Sequence, residues 1–238
     1  MESIYGLHTL PFELKEKNIT ISVRSKDSGY IYIRETHDEK VEKLLFTKRN
    51  EIYLCPVEPV NLTKTITPFL LIELQKPLLV EPKTKNKVYI RFPIEIGAFF
   101  KIKGDYDNFD IFTFTKPKYT LYGDVRRGVV CKYYKSDVNT SIPKTDILKE
   151  GVIELRIEND SSEWVEVKKA VFNSFGMKIY YNDKLVSMIA KMKILNSSIA
   201  ETGFSDAPLI KGMDKSVEIY TSRKITLSTA KFVMEAGV

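Results

Sequence analysis

The chain has 238 residues, a formal net charge of +6, and 43% hydrophobic, 11% aromatic and 29% charged residues. That composition excludes a disordered chain, 11 Gly and 10 Pro exclude a collagen, and 2 Cys exclude a disulfide scaffold. The length permits one large β domain or two domains of about 100–130 residues.

The opening, MESIYGLHTLPFELKEKN, lacks a basic start, an apolar core and a small-residue cleavage site, so no secretory signal is expected and the chain is read as cytoplasmic. ITISVR (19–24) and GYIYIRE (29–35) alternate in polarity around the turn Lys26-Asp27-Ser28-Gly29 and read as a hairpin. Residues 38–45 carry helical spacing. EIYLCPV (51–57) reads as a strand. PFLLIEL (68–74) and FPIEIGAFF (92–100) are interrupted short of the roughly 20 apolar residues of a membrane helix.

From Lys87 to Ile102 every even position is apolar, which is the period of a strand with one buried and one wet face. Pro93 and Gly97 predict a bend or bulge near a sheet edge. Asp105-Tyr106-Asp107-Asn108 reads as a turn before DIFTFT (110–115). GVVCKYY (128–134) is a strand, and SDVNTSIPKTDILKE (136–150) loses the alternation and is the best linker candidate. Beyond it, GVIELRIE (151–158), WVEVKKAVF (164–172), MKIYY (177–181), KSVEIYT (215–221) and KITLS (224–228) read as strands. Residues 184–195 fit helix or strand and are assigned to a strand.

Many short strands without helical connections predict an all-β protein of two antiparallel β-sandwich domains, 1–136 and 137–238. The carboxy-terminal domain resembles an immunoglobulin-like sandwich, with Trp164 as its core plug but without a disulfide. Lys supplies 29 of 37 basic residues and Gln occurs once, a bias similar to that of hyperthermophiles that suggests a hot-growing archaeon.

YGLHTLPF (5–12), KYTLYGDVRRGVVCKYYKSDV (118–138), EWVEVKKAVF (163–172) with GMKIYY (176–181), and the ending KFVMEAGV (231–238) resemble an archaeal family of uncharacterised proteins, domain of unknown function 432. The resemblance spans the whole chain. It implies an archaeal source and about this length, and brings no activity or site residues.

Chemistry-bearing residues are sparse. His8, His37, Cys55 and Cys131 do not have the spacing of a zinc module, and neither a GxSxG elbow nor a phosphate-binding glycine loop is present. Cys55 and Cys131 read as buried small hydrophobes, His37 as a solvated turn residue and His8 as structural. Asp105, Asp107 and Asp110 have part of a calcium-loop pattern, but Phe109 and the missing Gly and Glu favour a polar turn. No metal and no cofactor is expected.

The strongest surface feature lies at 116–135, where Lys116, Lys118, Arg126, Arg127, Lys132 and Lys135 interleave with Tyr119, Tyr122, Tyr133 and Tyr134. Residues 124–135 alone hold four cations against Asp124, a net +3 of the chain's +6. The reading is a non-enzymatic interaction module that meets an acidic protein partner through Arg126, Arg127 and Lys132, flanked by Tyr122 and Tyr133. Its rivals are an enzyme or sugar-binding sandwich with a ligand cleft between domains, using His8, Cys131 and the Asp105–Asp110 turn, and a single-strand nucleic-acid binder. Nucleic acid is the less favoured partner, no membrane span is expected, and edge strands leave a homodimer open.

Overall fold

The structure is a computed structural model that describes residues 3–16, 19–62, 66–102, 104–219 and 232–237. Its strands are β1 (Gly6–Thr9), β2 (Phe12–Glu16), β3 (Ile19–Lys26), β4 (Gly29–Thr36), β5 (Lys40–Leu45), β6 (Glu51–Val57), β7 (Phe69–Val80), β8 (Lys85–Pro93), β9 (Glu95–Ile102) and β10 (Asp105–Phe112). They continue as β11 (Lys118–Tyr122), β12 (Val129–Ser136), β13 (Glu150–Asn159), β14 (Val165–Asn173), β15 (Tyr180–Tyr181), β16 (Val186–Ile194), β17 (Ala200–Ser205), β18 (Asp214–Lys215) and β19 (Phe232–Met234). The chain is all-β, as its alternation requires. The expected strand at 224–228 lies outside the described residues.

Two compact units emerge. The first comprises Met1–Cys55 with Gly97–Asp110, and the second Pro56–Ile96 with Ile111–Val238. Each passage between them falls inside a strand, and position 136, where the linear division was expected, lies within the second unit.

In the first unit β2, β3, β4 and β5 form an antiparallel meander. Asp27, at φ 44°, turns the chain between β3 and β4. Gly29 follows because a Cβ there would stand 2.3 Å from the Leu45 carbonyl oxygen. Ile21 pairs with Arg34 and Val23 with Tyr32, so one buried face carries two aliphatic side chains together with a guanidinium and a phenol. The helical spacing at 38–45 is overruled: β5 pairs with β4 from Tyr30↔Leu45 to Glu35↔Lys40. Edge pairing outweighs a weak local propensity there.

In the second unit one sheet has the order β11-β12-β7-β14, and another the order β18-β15-β16-β13-β8, with β17 on β16 and β19 on β17. The expectation of purely antiparallel sheets is corrected at two places, because β12 pairs with β7 and β13 with β16 in parallel. No helix is needed for the second crossover. After β13 the chain runs through the other sheet as β14 before returning as β15 and then β16, so a strand does what a helix does in a βαβ unit. Central β13 buries Ile153, Leu155 and Ile157 on one face, while Val152 shares the other with Glu154, Arg156 and Glu158.

The long alternating run is broken where Pro93 removes a donor: β8 ends there and β9 begins at Glu95. Its odd face is not wet throughout, since Glu95 and Phe99 are buried. The sequence expectation of a turn at 105–108 also fails, because these residues open β10. Inward Asn108 hides the alternation, and its amide is satisfied by the carbonyls of Ala98 and Asp110 at 3.2 and 2.9 Å. Trp164 is 57% exposed and is no core plug. The 136–150 segment is tied down rather than free. Asn139 bridges to Tyr89, Leu148 is buried, and the Lys149 carbonyl accepts from the Ile94 amide at 3.1 Å.

Candidate functional site

The basic segment forms the expected hairpin. β11 pairs with β12 from Lys118↔Tyr133 to Tyr122↔Val129, leaving residues 123–128 as its turn. Asp124 shapes that turn: its Oδ1 accepts the amides of Arg126 and Arg127 at 2.7 and 3.0 Å, and its carbonyl accepts the Gly128 amide at 2.7 Å. Gly128 permits the closure, since a Cβ there would meet the Asp124 carbonyl oxygen at 2.5 Å. The carboxylate is thus committed to main-chain donors, and Arg126 and Arg127 stand exposed, without an ion pair among the described residues. Val125 is 92% exposed, and Leu121 and Val130, opposite one another in the ladder, are exposed as well.

The five residues read from the sequence divide. Arg126 and Arg127 sit at the accessible tip. Tyr122 is buried, donates to the Gly237 carbonyl at 2.9 Å and accepts the Ala236 amide at 3.0 Å. Tyr133 is half-buried and donates to Glu73 Oε2 at 3.0 Å. Lys132 requires a correction: its Nζ lies 2.8 Å from Glu95 Oε1 with both side chains buried, so it anchors β12 inward and offers nothing to a partner.

The partner of Lys132 opens a second centre that the sequence reading missed. Glu95 Oε2 accepts the main-chain amides of Asn61 and Leu62 at 2.9 and 3.1 Å. Burial holds the Glu95 carboxyl above the usual range despite the Lys132 ammonium. Glu58, three residues before Asn61, is only 2% exposed, and desolvation pushes its carboxyl up to about 8 against the pull of its hydrogen bonds, with Glu218 and Glu95 adding repulsion. Glu58 Oε2 and Asn61 Oδ1, both buried, accept no hydrogen bond from the described residues. Around them, Glu218 is held by Lys178 and by Lys215 at 2.8 Å, and Lys215 also reaches Asp206 at 2.7 Å. The signal that points here is a lone acid inside an apolar run, as in Pro56-Val57-Glu58-Pro59-Val60 and Ile94-Glu95-Ile96.

The remaining candidates are structural. His8 stacks on Phe12 at 4.9 Å and donates to the Ile4 carbonyl, and His37 is exposed in the β4–β5 turn. Both cysteines are free and buried, and desolvation pushes the Cys131 thiol up to about 12. Asp110 is no calcium ligand, because Arg34 Nε at 2.7 Å, Lys43 Nζ at 2.8 Å and the Tyr32 hydroxyl at 2.9 Å occupy its carboxylate. Among the described residues no three His, Cys, Asp or Glu side chains are grouped to hold a metal ion, and no helix is long and apolar enough to cross a membrane.

These features define an all-β protein with an exposed basic hairpin and a buried acid cluster. Its family follows from the sequence: the model of the family described as protein of unknown function (DUF432) matches residues 4–235, and the chain belongs to that family. No curated protein and no solved structure matches it.

Proposed function

We propose that this protein is a binding module whose β11–β12 turn receives an acidic protein partner. The observation that carries the reading is the tip itself, where two exposed guanidinium groups flank the course of a turn whose only carboxylate is spent on backbone amides. Exposed Val125, Leu121 and Val130 add apolar surface beside the charge, the mixture that lets an ionic encounter become a specific one. Tyr133 and Lys135 extend the same strand, although both also serve Glu73.

Fluorescence anisotropy with a labelled Glu/Asp-rich peptide tests the proposal. Wild type is expected to bind it with an affinity that falls as salt rises, and Arg126→Glu/Arg127→Glu to weaken binding by about tenfold or more. Equal binding by wild type and the double variant overturns the reading. A single-stranded oligonucleotide bound more tightly than the peptide, with a steeper salt dependence, moves the assignment to nucleic acid.

A further inference from the structure

Among the described residues of the second unit, the buried acceptors Glu58 Oε2 and Asn61 Oδ1 meet no donor, and they belong to one turn. Asn61 Nδ2 donates to the Glu58 carbonyl at 2.6 Å, and the same amide bears on the Glu58 carboxyl, while Asn61 Oδ1 and Glu58 Oε2 are left bare. Burying an acceptor unsatisfied costs free energy, and burying an unpaired carboxylate costs far more.

Among the described residues no cation is paired with Glu58. Lys132 of β12 is bound to Glu95 of β9, Lys178 and Lys215 are bound to Glu218, and Lys215 also holds Asp206. The charged groups that act on Glu58 directly, Glu218 and Glu95, are both acidic and repel a second negative charge. A proton on the Glu58 carboxyl supplies a donor, and Asn61 Oδ1, three residues on in the same turn, is a buried acceptor without one among the described residues.

We infer that Glu58 and Asn61 form a proton-binding site, in which the Glu58 carboxyl is held in its acid form and donates to Asn61 Oδ1. Loss of the proton places a third carboxylate beside Glu95 and Glu218 and works against the turn whose amides at Asn61 and Leu62 rest on Glu95. The second unit therefore responds to mild alkali. The unfolded chain gives up this proton near the ordinary value of 4.5 and the folded chain only at about 8. The stabilisation is complete below the lower value, is lost as pH rises between the two, and is gone above the upper.

The test compares wild type with Glu58→Gln and Glu58→Met by denaturant unfolding from pH 5 to pH 9. Gln reproduces the neutral acid, with a donor for Asn61, and Met fills similar space without one. The ratio of the unfolding constants of wild type and Glu58→Gln is expected to rise by up to about tenfold per pH unit across the window and then level off. Glu58→Met is expected to unfold more readily than Glu58→Gln at every pH. A wild-type profile parallel to that of Glu58→Gln overturns the proton site, and a Met variant as stable as the Gln variant removes Asn61 as its acceptor. Should neither variant fold, the infrared carboxylic-acid band of ¹³C-Glu-labelled wild type decides. A band present at pH 6 and lost by pH 9 supports the site, and its absence at pH 6 overturns it.

Discussion

Each unit buries carboxylates, and the two treat them in opposite ways. In the first unit Asp110 is met by Arg34, Lys43 and Tyr32 at 2.7–2.9 Å. Burial opposes its ionisation, but the hydrogen bonds from Arg34 and Lys43 and the guanidinium charge outweigh it and hold the carboxyl below the usual Asp range. In the second unit Glu95 has one ammonium and two amides, and Glu58 has no cation among the described residues, so desolvation prevails and both carboxyls rise. Burial alone does not set the sign of such a shift. Three donors converge on Asp110 and three on Glu95, so their charge decides it: two cations meet Asp110 and one meets the more deeply buried Glu95.

The hardest blow to this contrast is Asp110→Ala. It leaves the Arg34 guanidinium, 3% exposed, without its buried partner. Because a guanidinium cannot shed its proton, the loss is expected to be about 3–5 kcal/mol by denaturant unfolding. Lys132→Met strips Glu95 of its ammonium, but Glu95 escapes by taking up a proton, so a smaller loss of about 1–3 kcal/mol is expected. A Lys132 variant that matches the Asp110 variant would erase the distinction between the two clusters.

The pH dependence sharpens the comparison further. The lowered Asp110 contributes stability above the unfolded Asp value of 3.8 and loses it as pH falls through its folded value. Hydrogen exchange is therefore expected to open β2–β5 amides first in acid, and amides around residues 58–62 first in mild alkali. Tyr32→Phe removes one of three donors to Asp110 and should cost about 1 kcal/mol. Smallest of all, Arg126→Glu/Arg127→Glu should leave stability within about 0.5 kcal/mol of wild type, since the turn is closed by Asp124 and not by the arginines. A larger change would mean that the tip is part of the fold.

Alternation made the all-β class and the β11–β12 hairpin legible, including its turn at Asp124 to Gly128. What misled was the assumption that polar means wet. Asn108 and Asp110 point inward and conceal the first half of β10, and Lys132 reads as surface because its charge says nothing about a buried acid 37 residues earlier in the chain. The parallel pairs were hidden for a different reason. Local pattern specifies that a segment is extended but not which strand lies beside it, and β13 and β16 become neighbours only after a detour through another sheet. Trp164 failed because a single aromatic at a strand start carries no information about which way it faces.

The way Asp124 closes its turn separates architecture from chemistry. The closure uses amides that every non-proline residue possesses, so the side chains at 125, 126 and 127 are interchangeable as far as the backbone is concerned. Evolution, or an engineer, can therefore rewrite what this finger recognises, swapping its charge or its bulk, while the sheet beneath keeps its shape.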